Sequence, residues 1–135
     1  MREIKFRAIG LDKKWYFGDL RHNGSSMRIE WETTDWNAHP PLGTIIKHGV
    51  NVKKETVGQY TGLKDKNGKE IYEGDVVKGQ WWACGKSHRH IGVVTYVMNA
   101  FKVRGAKQYI GIDDELNSSY EVIGNIYDNP ELLNQ

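Results

Sequence analysis

The sequence predicts a mainly β protein. It should form a small barrel or roll, with an SH3-like C-terminal module, an N-terminal β unit and a short C-terminal helical turn. Three observations lead there. Short runs of residues alternate between apolar and polar, as in Glu3 to Ile9. Turn-forming dipeptides such as Asn23-Gly24 and Asn67-Gly68 separate these runs at close intervals. The end of the chain, Asn129-Pro130-Glu131-Leu132-Leu133, has the cap, first-position proline and first-turn acid of a helix start.

In Glu3 to Ile9, Ile4, Phe6 and Ala8 fall on one side and Lys5 and Arg7 on the other, the pattern of a half-buried strand. Residues 11–14 turn the chain and Trp15-Tyr16-Phe17 opens a second strand, so a hairpin is expected. Asn23-Gly24-Ser25-Ser26 is another turn, and Met27 to Trp31 a third strand. Thr33 to Gly43, with Asn37, Pro40, Pro41 and Gly43, lacks periodicity and reads as a loop. Thr44-Ile45-Ile46 and Val50 to Val52 read as β pieces around a turn at Gly49, followed by a strand from Glu55 to Leu63. The junction near Val52 to Glu55 divides an N-terminal β unit, 1–53, from the C-terminal module, 54–135, though the two can pack as one domain.

The second half is marked more sharply. Asn67-Gly68 sits between polar arms, and a type I′ turn needs positive φ at both central residues, which Asn and Gly tolerate best. Glu73-Gly74-Asp75 makes a second turn, with Asp75 bonding a nearby backbone amide. Asp75 to Trp82 and Ile91 to Met98 read as strands, the latter apolar on both faces. Gly79 to His90 reads as a polar hairpin loop between them. Met98-Asn99-Ala100 turns the chain into a strand at Phe101 and Val103, and Tyr109 to Ile112 and Tyr120 to Tyr127 complete the set. Asp113 to Asn117 is expected to form one helical turn.

Composition bounds the possibilities. A chain of 135 residues is long enough to bury a core without staples, at roughly two-thirds of its unfolded surface. Its 5 Trp and 7 Tyr supplement a modest 39% of hydrophobic residues. A single cysteine, Cys84, excludes an internal disulfide. A reducing compartment follows as the expected home. The N-terminus has no apolar signal region and no stretch approaches the ~20 apolar residues that span a bilayer, so a cytoplasmic location without membrane association is expected.

Net charge is only +2, but it is unevenly distributed. From Val76 to Lys107 the charged residues are Lys78, Lys86, Arg89, Lys102, Arg104 and Lys107, all positive. From Gln108 to Gln135 they are Asp113, Asp114, Glu115, Glu121, Asp128 and Glu131, all negative. The basic block could meet phosphates, or it could meet the chain's own acidic block within or between subunits.

The stretches REIKFRA, VGQYTGLKDKNGKEIYEGDVVK, GVVTY and YEVIGNIYDNPELL together resemble the YopX family of phage and prophage proteins. The resemblance covers both termini and most of the second half, leaving His22 to Lys53 and Gly79 to Ile91 as variable segments. Ile9-Gly10 stands where related proteins tend to carry an aromatic. The resemblance implies a phage or prophage origin and a β-barrel fold with an SH3-like C-terminal part. It carries no activity and no catalytic residues onto this chain.

No constellation in the sequence calls for catalysis. Glu70, Glu73 and Asp75 could be an acid–base or metal cluster, but turn chemistry accounts for them more simply. Cys84, His88 and His90 are potential zinc ligands, yet a structural site needs four and there is no second cysteine. A Cys–His nucleophile pair lacks an orienting third group. No phosphate loop of the GxxxxGK[ST] kind is present. No enzyme activity, metal or cofactor is therefore expected.

Trp81-Trp82 carries more information. Neighbouring strand residues face opposite sides, so one Trp must look outward, either covered by the loop or the N-terminal unit or serving as a protein hot spot or a base-stacking platform. The candidate interaction surface combines Trp81 and Trp82 with Lys86, His88, Arg89 and His90. Lys102 and Arg104 extend it. The expected function is a non-catalytic module that binds a host or phage protein and self-associates. A nucleic-acid-binding accessory protein using the same basic, aromatic face is the alternative, and a small enzyme comes third.

Overall fold

The computed structural model describes residues 3–37 and 43–133. Within these, eleven strands and three 3-10 turns form antiparallel sheets, so the mainly β expectation holds. No described helix is long and apolar enough to cross a membrane. The chain divides into two compact units, one of Ile4–Gln59 and one holding the described residues from Tyr60 onward.

In the first unit, β1 (Phe6–Ile9), β2 (Trp15–Asn23), β3 (Ser26–Asp35) and β4 (Thr44–Val52) form an antiparallel meander in chain order. On its other side, β1 pairs with Gly58 and Gln59, the first residues of β5 (Gly58–Lys64). Ala8, Ile29 and Val52 are buried at the centre, with Tyr16, Leu20, Met27 and Trp31 packed against them. The simple alternation expected around β1 does not hold. Ile4 is 63% exposed, whereas Arg7 is buried with its guanidinium 4.6 Å from the centroid of the Trp15 ring. A cation over an aromatic face is one way to bury a guanidinium.

Three further expectations change here. β3 runs on to Asp35, into the segment read as a loop; residues 38–42 of that segment lie outside the described residues. Gly49 is not a turn but sits within β4, opposite Glu30, where a side chain would collide with the Arg28 guanidinium. The glycine signals close approach rather than a break. The strand expected from Glu55 begins at Gly58, after a 3-10 turn at Lys54–Thr56. There the Thr56 hydroxyl donates to the Lys53 carbonyl (2.7 Å) and accepts from the Ile9 amide (2.9 Å).

In the second unit, the rest of β5 pairs with β6 (Glu70–Tyr72). A five-stranded sheet then runs in the order β10-β9-β8-β7-β11. Its strands are β7 (Asp75–Ala83), β8 (Lys86–Val97), β9 (Ala100–Gly105), β10 (Asp113–Glu115) and β11 (Glu121–Asn125). The sheet is open, with β10 and β11 at its edges, and is not closed into a barrel. Ile71, Val77, Val94, Val103, Leu116 and Tyr120 form its core. Each fully buried aliphatic side chain contributes about 1.5–3 kcal/mol.

Asp113 to Glu115 form strand β10 instead of a helical turn, because Asp113 and Glu115 lie across from Arg104 and Lys102. Residues 109–112 form no strand. A 3-10 turn at Lys107–Tyr109 and a bond from the Ile112 amide to the Tyr109 carbonyl satisfy this backbone locally. The chain end forms the expected short helical turn at Pro130–Leu133, with Asn129 Oδ1 accepting the Asn125 amide.

The hairpin at Asn67-Gly68 is present, but its turn differs from type I′. Gly68 has φ +84° and Asn67 is not in the positive-φ region. The Gly68 amide donates to the Asp65 carbonyl and the Asp65 amide to the Lys69 carbonyl, as in a three-residue loop with a glycine bulge. The cause is Asp65. Its buried carboxylate accepts the amides of Asn67 (2.8 Å) and Lys69 (2.9 Å) on one oxygen and that of Val122 (2.9 Å) on the other. One side chain thus shapes the turn and ties the β5–β6 hairpin to β11. At the second turn Asp75 accepts the Tyr72 amide (2.8 Å), as its sequence position suggested.

Candidate interaction face

The segment expected to be a polar loop is a continuous hairpin. β7 and β8 pair from Val76↔Val93 out to Ala83↔Lys86. The link is the two-residue turn Cys84-Gly85, with φ of +53° and +76°, the requirement of a type I′ connection. The two-residue pleat then sorts the candidate residues onto opposite faces.

One face carries Val77, Gly79 and Trp81 from β7, with His88, His90 and Val94 across from them on β8 or further along it. This is the core side. Trp81 stacks on His88 with centroids 5.1 Å apart. His90 is fully buried, so it is not part of any surface. Its Nε2 faces the Ile112 carbonyl (2.7 Å), and its Nδ1 faces the Tyr120 hydroxyl (2.8 Å). That hydroxyl donates in turn to Asp114 (2.9 Å). Burial, aided by the Asp114 carboxylate, pushes the Tyr120 hydroxyl well above the usual tyrosine range. Cys84, His88 and His90 are therefore committed to different surroundings. Among the described residues no three His, Cys, Asp or Glu side chains gather as a metal-ligand set.

The other face carries Lys78, Gln80 and Trp82 on β7, and Ser87 and Arg89 across from them on β8. Lys102 and Arg104 follow on β9, as partners of Thr95 and Val93. Trp82 is the outward tryptophan, 73% exposed. The Ser87 hydroxyl donates to Gln80 (2.5 Å) beside it. The structure thus places Trp82, Arg89, Lys102 and Arg104 on one face, but spread along it, since Ser87 opposite Trp82 and Thr95 opposite Lys102 are separated by about 26 Å of strand. Trp81, His88 and His90 are on the other face, and Lys86 lies at the hairpin tip, opposite Ala83.

The two charge blocks meet within the chain. Arg104 pairs with Asp113 (3.7 Å) and Lys78 with Glu121 (4.0 Å), and Glu115 sits across from Lys102. Such exposed cross-strand pairs contribute only ~0.2–1 kcal/mol each, but they align the edge strands. Arg89 differs, since its cross-strand neighbour is Gln80 and it has no ion-pair partner among the described residues.

Beside Arg89 lies a cleft of about 440 Å³, lined by Lys66, Lys78, Gly79, Gln80, Arg89 and Ser119. Three of these are cationic and none is acidic. Lys66, Gln80 and Ser119 were not among the candidates read from the sequence. The alternation Lys78-Gln80-Trp82 was a readable signal for a shared face, but the arrival of Lys66 depends on the Asp65 tether.

An all-β protein of antiparallel sheets, presenting a basic, aromatic face on one sheet, is the class these features define. The chain belongs to the YopX family: the family model described as "YopX protein" matches residues 5–134. Among solved structures, the crystal structure of protein EF1440 from Enterococcus faecalis is similar, with a TM-score of 0.57 and 24% sequence identity. The match covers 98% of this chain and 99% of that one, and at this identity it speaks to the fold alone. No curated protein matches the chain.

Proposed function

We propose that this is a non-catalytic interaction module of a phage or prophage, acting in the host cytoplasm and docking a protein partner through the outward face of the β7–β8 hairpin. The observation that carries this reading is Trp82, 73% exposed on a paired strand rather than on a loop. Strand pairing fixes the backbone that carries it, and a tryptophan has only two χ angles to order on binding, which is one reason it recurs as an interface anchor. Arg89 supplies a cation on the same face. Self-association is part of this reading, and light scattering checks it.

The test is affinity capture from host cells with the wild-type protein and a Trp82→Ala variant. A partner retained by the first and lost by the second is expected; the same partners with both would refute the role of this face. The nucleic-acid reading draws on Arg89 and Lys86, neither of which has a carboxylate across the hairpin. Steeply salt-dependent retention on DNA or RNA, abolished in the Lys86→Ala, Arg89→Ala double variant, would favour it.

A further inference from the structure

We propose that the cleft between the β5–β6 turn and the outer face of β7 and β8 is a binding site for a small phosphomonoester with a polar body, of sugar-phosphate or mononucleotide kind. It is separate from docking through Trp82, which does not line the cleft. Four observations converge on this chemistry.

The first is charge. Lys66, Lys78 and Arg89 all line the cleft and no acidic residue does; the carboxylates beside it are both engaged, Glu121 4.0 Å from Lys78 and Asp65 on three backbone amides. The lining itself therefore carries three positive charges and no negative one. A phosphomonoester carries roughly −1.5 to −2 at neutral pH, whereas a backbone phosphodiester carries one negative charge. The second is the availability of the donors. Arg89 is exposed, has no ion pair among the described residues, and offers the planar fork that binds phosphate oxygens in pairs.

The third is size. The cleft, at about 440 Å³, falls in the range of small-molecule sites, roughly 300–1,000 Å³, and exceeds what a phosphate group alone fills. The Gln80 NH2 group, whose oxygen accepts from Ser87, is left to donate to a polar remainder, and the Ser119 hydroxyl, which donates to Asn117, is left to accept from one. The fourth is construction. Lys66 follows Asp65, whose carboxylate holds the turn against β11, and the Lys66 amide itself donates to the Tyr120 carbonyl (3.2 Å). Lys78 and Arg89 stand on paired strands. The backbone that carries the three cations is thus in place before a ligand arrives.

The experiment is a calorimetric or amide-NMR titration of the full chain at low salt with uridine 5′-monophosphate, uridine, and a short oligothymidylate lacking a terminal phosphate. The monophosphate is expected to bind, with shifts at Lys66, Lys78 and Arg89, and uridine is not. Arg89→Gln should weaken binding about tenfold, the scale of one lost charge-assisted contact. Lys107→Gln, which removes a cation outside the cleft, should change it less than twofold. Circular dichroism confirms that both variants are folded. No binding of the monophosphate, equal weakening by the two variants, or tighter binding of the oligothymidylate would each overturn the proposal. Partner capture scores Trp82 and this titration scores Arg89, so the two readings can fail separately.

Discussion

Replacing Asp65 by asparagine tests the claim that one carboxylate organises the second unit. Its two oxygens accept three backbone amides, those of Asn67, Lys69 and Val122, at 2.8–2.9 Å, and the side chain is only 6% exposed. Asparagine keeps the shape but has one oxygen. Its amide group must then face either the Val122 amide or the turn amides, donor against donor. Hydrogen bonds to a charged group contribute about 1.5–3 kcal/mol, and a buried donor left unsatisfied costs about 1–3 kcal/mol. Asp65→Asn is therefore expected to destabilise by about 3 kcal/mol. In urea unfolding the midpoint should fall while the slope stays near its wild-type value.

A second signature is acid dependence. Burial opposes the charge on Asp65, but the amides of Val122, Lys69 and Asn67 outweigh it and hold the carboxyl below its ordinary value of 3.8. A carboxyl depressed by folding stabilises the native state above its unfolded pKa, and that contribution is lost as pH falls through the folded value. The gap between wild type and Asp65→Asn should be full above about pH 4 and narrow below it. A loss under about 0.5 kcal/mol, typical of an ordinary surface change, or a gap constant down to pH 2, would refute the reasoning.

Three further outcomes are expected. Gly79→Ala should destabilise by about 1–3 kcal/mol in thermal unfolding, because the new Cβ would meet the Tyr120 ring at 2.6 Å in a packed core. Tyr120→Phe removes the hydroxyl shared by His90 and Asp114 and should cost about 1–3 kcal/mol by denaturant titration; an unchanged midpoint would show that the buried link contributes nothing. Cys84→Asn should raise the melting temperature, with a gain of about 0.5–1 kcal/mol, since asparagine tolerates the left-handed conformation (φ +53°) that cysteine now occupies.

Much of the fold was legible because its signals are local. The positions of the Asn67-Gly68 and Glu73-Gly74-Asp75 turns follow from local residue chemistry, although the type of the first is set by Asp65 and only Gly68 takes the positive φ. Val76 and Val77 are both fully buried, as neighbours on a core strand require. The outward tryptophan also followed from strand periodicity, which demands that Trp81 and Trp82 face opposite ways. Which one faces out depends on whether Val77 or Val76 shares its side with Tyr120 and Val94, and that is a matter of packing.

The basic and aromatic character of the face, and the acidic block that answers it, were determined by the sequence alone. Tertiary structure decided how they are used. Edge strands β10 and β11 carry the acids to Arg104, Lys102 and Lys78, leaving Arg89 without an ion-pair counterpart among the described residues. His90, placed among surface candidates by its neighbours in sequence, is withdrawn because the pleat turns it onto Tyr120 and Ile112. Lys66 joins Lys78 and Arg89 only because Asp65 bonds an amide 57 residues away. Period and turn chemistry are properties of adjacent residues and can be read along the chain. The pairing of distant backbone groups depends on which arrangement satisfies every buried donor at once, and only the folded protein settles that.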